Sequence, residues 1–283
     1  MMRNIIAELN PHRLLPTVTS GFIIGLLEVV MSLSFAALIF SGDLSGFLAN
    51  GVGLVLFSGI IFGVMIALFS WFPGTVGGNQ GVPAAILAVV AAAIATTMPD
   101  GSTADEIFIT TIAAIALTTI TTGLFFLGLG QFKLAGLIRF LPYPVVGGFL
   151  AGTGWLLVTG SIGLMTGFKI SLDQVPQLFT PEVLAHWLPG LGFALLILFL
   201  TNRFDHFLIL PGAVIGGIVL FFITTTLLGL STAELSDQGW FLGPFPSESL
   251  WTPLSLADIN QVDWGVIGGQ AINVASILIV STF

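Results

Sequence analysis

PGTVGGNQGVPAAILAVVAAAIATTM, residues Pro73 to Met98, carries no charge and changes character once along its length. Up to Val82 it is glycine-rich and irregular; from Pro83 to Met98 it is a run of 16 mostly apolar residues. As a helix that run reaches about 24 Å, short of the roughly 30 Å hydrocarbon core of a bilayer. If it crosses, part of the glycine-rich stretch lies at membrane depth. Non-helical backbone is tolerated there only when buried in protein or lining a cavity. Pro83 suits a first helical turn, so the spacing predicts a half-helix that starts near the midplane around Val82–Ala84, after an extended strand from about Thr75. Its free N–H groups and positive dipole end would face the cavity and favour an anion. Short spans interrupted by Gly and Pro are also where transporters place their binding sites. A plain short helix under a thinned bilayer is the other reading of the same residues.

The rest of the chain supports a membrane setting. Of 283 residues, 55% are apolar and only 7% charged, and mean hydropathy is +1.08. A soluble fold needs roughly a quarter of its residues charged, so most of this surface faces lipid. The fold class expected is an all-α polytopic membrane protein. Eight segments are read as spans: Val18–Phe40, Gly51–Phe72, Pro83–Met98, Ile107–Leu129, Val145–Leu164, Leu184–Leu200, Phe207–Leu230 and Trp264–Phe283. Residues 1–17 then form a cytoplasmic N-terminal segment, and 18–283 a transmembrane domain.

Charge sets the orientation. With the N-terminus cytoplasmic, Arg3, Arg13, Lys133, Arg139 and Arg203 lie inside and only Lys169 outside, as the positive-inside rule requires. That agreement needs the short third segment to cross. Six Lys and Arg in total argue against nucleic-acid binding, and the polar opening residues do not resemble a cleavable signal. The longest connection, about Ser231 to Asp263, carries Trp240, Phe241, Phe245 and Trp251 and reads as a loop resting in the headgroup belt. The apolar run at GGQAINVASILIVSTF leads us to expect a fragment of a longer protein.

Glu28 lies about ten residues into the first span, roughly 15 Å deep. An ionisable group there marks a functional site by default. Two roles are open: a proton-titrating coupling acid, or a hydrogen-bond partner for irregular neighbouring backbone. Gly59 and Gly63, Gly148 and Gly152, Gly163 and Gly167, and Gly212 and Gly216 have the four-residue spacing that lets helices pack closely. Pro189 and Pro211 read as bends. Thr111, Thr118 and Thr122 share one face and are expected to bond their own helix carbonyls. In the eighth span Gln270, Asn273 and Ser276 recur on one side, and either line a cavity or bond between helices. His12, His186 and His206 do not form a metal set, and no nucleophile elbow or phosphate loop occurs. No metal, cofactor or enzymatic activity is expected.

RFLPYPVVGGFLAGTGWLL, Arg139 to Leu157, resembles the SulP family of sulfate permeases and related anion transporters, whose prolines lead into a P-V-x-x-G-F-x-x-G helix. Val30-Met31-Ser32-Leu33-Ser34-Phe35-Ala36 is similar to that family's P-Q-x-x-A-F/Y-A element, and Gly81-Val82-Pro83-Ala84-Ala85 to its G-P-x-A helix start. The resemblance implies about fourteen segments in two inverted repeats of seven, of which this chain holds the first repeat plus span eight. Spans one to four and eight to eleven would form a transporting core, and five to seven and twelve to fourteen a gate or scaffold, with the rest of the second repeat and any STAS domain outside the chain. It also implies a homodimer and an anion held between half-helix starts, beside span one. The departures are Val30 and Met31 for the family's proline and glutamine, Val82 for a glycine, and Ala275 for an acid often found in span eight. The last weighs against sodium coupling there.

The resulting expectation is a secondary active transporter of a small inorganic anion, sulfate or bicarbonate, in the plasma or inner membrane, with a proton or sodium ion as candidate coupling partner. Its substrate-binding residues would be Ser34, Phe35, Pro83, Ala84 and Ala85. Glu28 is the coupling candidate, and Met31, Asn273 and Ser276 are candidate cavity lining. The rivals are a nucleobase-type permease of the same fold and a non-transporting membrane scaffold.

Overall fold

The computed structural model describes residues 11–70, 75–134, 136, 142–167, 170, 172–206, 208–241 and 258–282. Seven long helices follow one another: α1 Pro11–Ile39, α2 Leu48–Phe69, α3 Gly81–Thr97, α4 Ala104–Gln131, α5 Tyr143–Thr166, α6 Pro181–Arg203 and α7 Ile209–Leu227. Three short ones complete the order, α8 Thr232–Asp237, α9 Trp264–Gly269 and α10 Ala271–Val280. Among the described residues six helices are long and apolar enough to cross a membrane, while Gly81–Thr97 and Ala271–Val280 are apolar but shorter. The chain is an all-α polytopic membrane protein.

Local sequence explains the ends. Thr103 and Glu106 form a capping box on α4, each side chain accepting the other's backbone N–H. α5 and α6 open on prolines in the first turn, where a missing N–H costs nothing. Gly167 closes α5 in the left-handed conformation, φ 77°, which only glycine adopts freely. Pro211 falls in the first turn of α7, so it opens that helix instead of bending it.

α3 is the hub. It packs on α1, α4, α5 and α10, while α5, α6 and α7 follow as a series outward from it. Around the hub, Phe35, Ile39, Phe40 and Leu44 meet Ala84, Ala91 and Ile112 in one buried cluster. A second joins Ile86 of α3 to Ile277 and Val280 of α10. Gly51 lets the Phe40 ring lie against the α2 backbone, where a Cβ would stand 2.6 Å from Cε2. By contrast α6 has no buried residue, and Leu195, Leu198 and Phe199 are exposed. An apolar helix with its side chains outside belongs in lipid.

Three expectations change. The stretch before α3 is neither helix nor paired strand over residues 75–80, although Gln80 is extended (φ −94°, ψ 131°). The eighth span is broken at Gln270: α9 ends on Gly268-Gly269, and the Gln270 N–H turns back to the Ile267 carbonyl at 2.9 Å. Two adjacent glycines weaken the helix there, and the buried Gln270 side chain accepts from Asn273 Nδ2 at 2.8 Å. The glycine pairs also divide. Gly148, Gly152, Gly212 and Gly216 have nothing within 4 Å of the point where a Cβ would sit, so they serve no close helix contact among the described residues.

Candidate functional site

The site is built where α3 begins. Gln80 caps the helix with no side-chain hydrogen bond, and the first backbone bond runs from the Ala84 N–H to the Gln80 carbonyl at 3.3 Å. Pro83 has no N–H. The N–H groups of Gly81 and Val82 therefore lack an acceptor among the described residues. Half-buried donors of this kind at a helix start suit an anionic ligand.

The approach to them has apolar walls. The Phe35 ring from α1 stands with Cζ 3.2 Å from a Cβ position on Gly81, and Leu157 Cδ1 from α5 stands 3.8 Å from it. Beyond Ala85 a crevice of about 600 Å³ opens between α1 and α3 on one side and α5 on the other. Ala85, Ala88, Leu38, Leu156, Gly160 and Gly163 are among its walls, and Phe241 stands in its lining too. No charged side chain lines it among the described residues.

Behind the helix start, the non-helical stretch is fastened to α1 and α2. The Asn79 N–H donates to Glu28 Oε1 at 2.6 Å. Asn79 Nδ2 donates to Ser32 Oγ at 2.9 Å and to the Val55 carbonyl at 3.2 Å. Gly78 lies so close to the Glu28 carboxyl that a Cβ would stand 2.9 Å from Cδ. Gly59 and Gly63 of α2 face Asn79 Nδ2 (3.2 Å) and the Gly77 carbonyl (3.8 Å). Their spacing thus admits a crossing chain in place of a helix partner.

The expected site residues do not all converge. Phe35, Pro83, Ala84 and Ala85 gather at the helix start, although Ala84 is turned into the Phe35 cluster and only Ala85 lines the crevice. Ser34 is exposed and donates to its own helix at the Val30 carbonyl, 2.9 Å away. Adjacent helix positions point about 100° apart, so Ser34 cannot share the face of Phe35. Met31 is exposed and outside the crevice lining. Asn273 bonds Gln270, and Ser276 returns to the Ile272 carbonyl at 2.9 Å. Of the two roles open to Glu28, the structure displays the backbone partner. Sequence reading missed Asn79 and Ser32. The signal was present, because Asn79 is a short carboxamide inside an uncharged glycine-rich stretch that must cross at depth.

The described start of the connection after α7, residues 231–241, packs back on α6 and α7. Trp240 stacks on His186 at 5.0 Å, and Phe241 meets Phe221 and Phe222. Phe245 and Trp251 lie outside the described residues. Thr111, Thr118 and Thr122 bond their own helix carbonyls at 2.7–2.8 Å, as expected. No group of three metal-ligating side chains occurs among the described residues.

A short apolar helix with an uncapped start, set among longer apolar helices beside a crevice, is the pattern in which membrane transporters place their binding sites. The model of the sulfate permease family matches residues 14–283. The chain belongs to the sulfate permease family. It is 27% identical over 263 residues to the vacuolar basic amino acid transporter of Saccharomyces cerevisiae, covering 89% of this chain and 25% of that protein. It is 24% identical over 160 residues to a probable sulfate permease of Schizosaccharomyces pombe, covering 56% of this chain and 17% of that protein. The chain thus spans a quarter or less of these curated relatives. No solved structure matches it.

Proposed function

We propose that the protein carries a small inorganic anion, sulfate or bicarbonate, by secondary active transport, and that the Gly81 and Val82 N–H groups supply the anion's donors. The observation that carries this is the uncapped start of α3 behind Phe35. Charge-assisted hydrogen bonds in a dry site are each worth about 1.5–3 kcal/mol, so no basic side chain is required. The crevice between α1/α3 and α5 supports movement of the first group against the second. A cationic substrate, as in the name of the yeast relative, would want an acid beside it. The crevice offers none among the described residues, and the Glu28 carboxylate is engaged by Asn79.

On the same reading Glu28 is the coupling acid, the protein dimerises in the cell membrane, and its N-terminus is cytoplasmic. Glu28→Gln keeps an acceptor for Asn79 and removes the carboxylate's charge, so it should reduce gradient-driven accumulation more than it changes affinity.

The test uses full-length protein in liposomes with labelled sulfate. Gly81→Pro deletes one N–H from a backbone that already suits proline at a helix start, while Gly81→Ala adds the same Cβ and keeps the donor. Uptake by the proline variant should fall roughly tenfold below the alanine variant. Arginine uptake without sulfate or bicarbonate uptake would overturn the reading.

A further inference from the structure

We infer that Asn79 is a positioning residue, and that with Glu28 it sets where the anion's main-chain donors stand. The inference rests on the reading that Gly81 and Val82 hold the ligand. Asn79 precedes Gly81 by two residues, and its own N–H and its carboxamide nitrogen are both committed. The N–H is fixed to α1 through Glu28, and the carboxamide bridges Ser32 of α1 to the Val55 carbonyl of α2. Ser32 is 1% exposed, so that end of the bridge is closed to water. The fastening also has a fixed depth. Gly78 admits no side chain beside the Glu28 carboxyl, and Gly59 holds α2 near the Asn79 amide.

A non-helical stretch has no internal ladder to define its position. Here that position is imposed from outside, by two helices and one side chain. Gly81 has only Gln80 between it and the fastening, and its other neighbour is the Phe35 ring. Releasing Asn79 therefore lets the donors drift relative to Phe35 without removing them. Misplaced donors weaken ligand binding, whereas the helix group that moves is unchanged. The signature is a rise in KM with Vmax preserved.

The test compares Asn79→Ala, Glu28→Leu and Glu28→Gln in full-length protein reconstituted in liposomes, with labelled sulfate, alongside amide hydrogen exchange over residues 77–82. Asn79→Ala should raise KM roughly tenfold, with Vmax per folded transporter within about twofold, and both Asn79→Ala and Glu28→Leu should speed exchange. Glu28→Gln, which still accepts the Asn79 N–H, should exchange at the parental rate. Faster exchange with a parental KM overturns the positioning role and leaves the anion site standing. Unchanged exchange in all three variants overturns the fastening itself. If the parental protein neither binds nor carries sulfate or bicarbonate, the functional reading falls and this inference falls with it.

Discussion

Leu38 of α1 occupies the space that a side chain at Gly160 of α5 would need, so at this point a leucine lies against bare backbone. The contact lies in the wall of the crevice, where the α1/α3 group meets α5. Gly160→Val should force them apart, with overpacking costing about 1–3 kcal/mol. A lower melting temperature in detergent and slower uptake are expected. Adding Leu38→Ala should restore both; failure of that rescue would place the damage elsewhere.

Gly78 and Gly59 flank the same fastening with unequal room. A Cβ on Gly78 collides with the Glu28 carboxyl, whereas one on Gly59 stands 3.2 Å from Asn79 Nδ2. Gly78→Ala should therefore destabilise by about 1–3 kcal/mol, and Gly59→Ala by less. Thermal unfolding of the two variants side by side decides the order.

The capping box at the start of α8 should weaken on acidification. Glu234 accepts from the Ser231 N–H at 2.7 Å and from its hydroxyl at 2.9 Å, and the backbone bond first, then the side-chain bond, holds its pKa below the ordinary glutamate value. A carboxyl lowered in the folded state contributes stability that is full above its unfolded pKa and is lost as pH falls through the lowered value. Amide exchange in residues 232–237 should accelerate on acidification across that window. Ser231→Ala should weaken the pH dependence.

Orientation has a clean chemical test, because the sequence contains no cysteine. Cysteines placed at Lys133 and Arg203 should resist an impermeant thiol reagent applied from outside, and one at Asp237 should react. External labelling at Lys133 would reverse the proposed topology.

How much of this the sequence discloses depends on whether one residue or a meeting of residues is at stake. The short α3 is legible because Pro83 and the glycines before it act locally, and its start falls within two residues of the expected place. Glu28 is legible as a costly acid, since depth follows from counting. Its partner is not, because the Asn79 contact joins positions 51 apart in the chain. Ser34 and Phe35 look like one site because they are adjacent in sequence, and helical rotation separates them. The four-residue glycine spacing states that something approaches closely without stating what. At Gly59 and Gly63 it is a non-helical chain, and at Gly148 and Gly152 nothing among the described residues. The break at Gln270 lies in an apolar run whose only warning is Gly268-Gly269.

The two unclaimed donors at the start of α3 belong to peptide groups, and peptide groups do not vary between amino acids. Replacing side chains one at a time leaves both in place, and only proline deletes one. A search for transport residues by charge reversal or alanine scanning would pass over the contact proposed here to hold the ion. The same chemistry makes the contact indifferent to pH, since an amide neither gains nor loses a proton in the physiological range. If those donors hold the anion as proposed, selectivity is left to the size and dryness of the walls, to Phe35 and Leu157 beside Gly81.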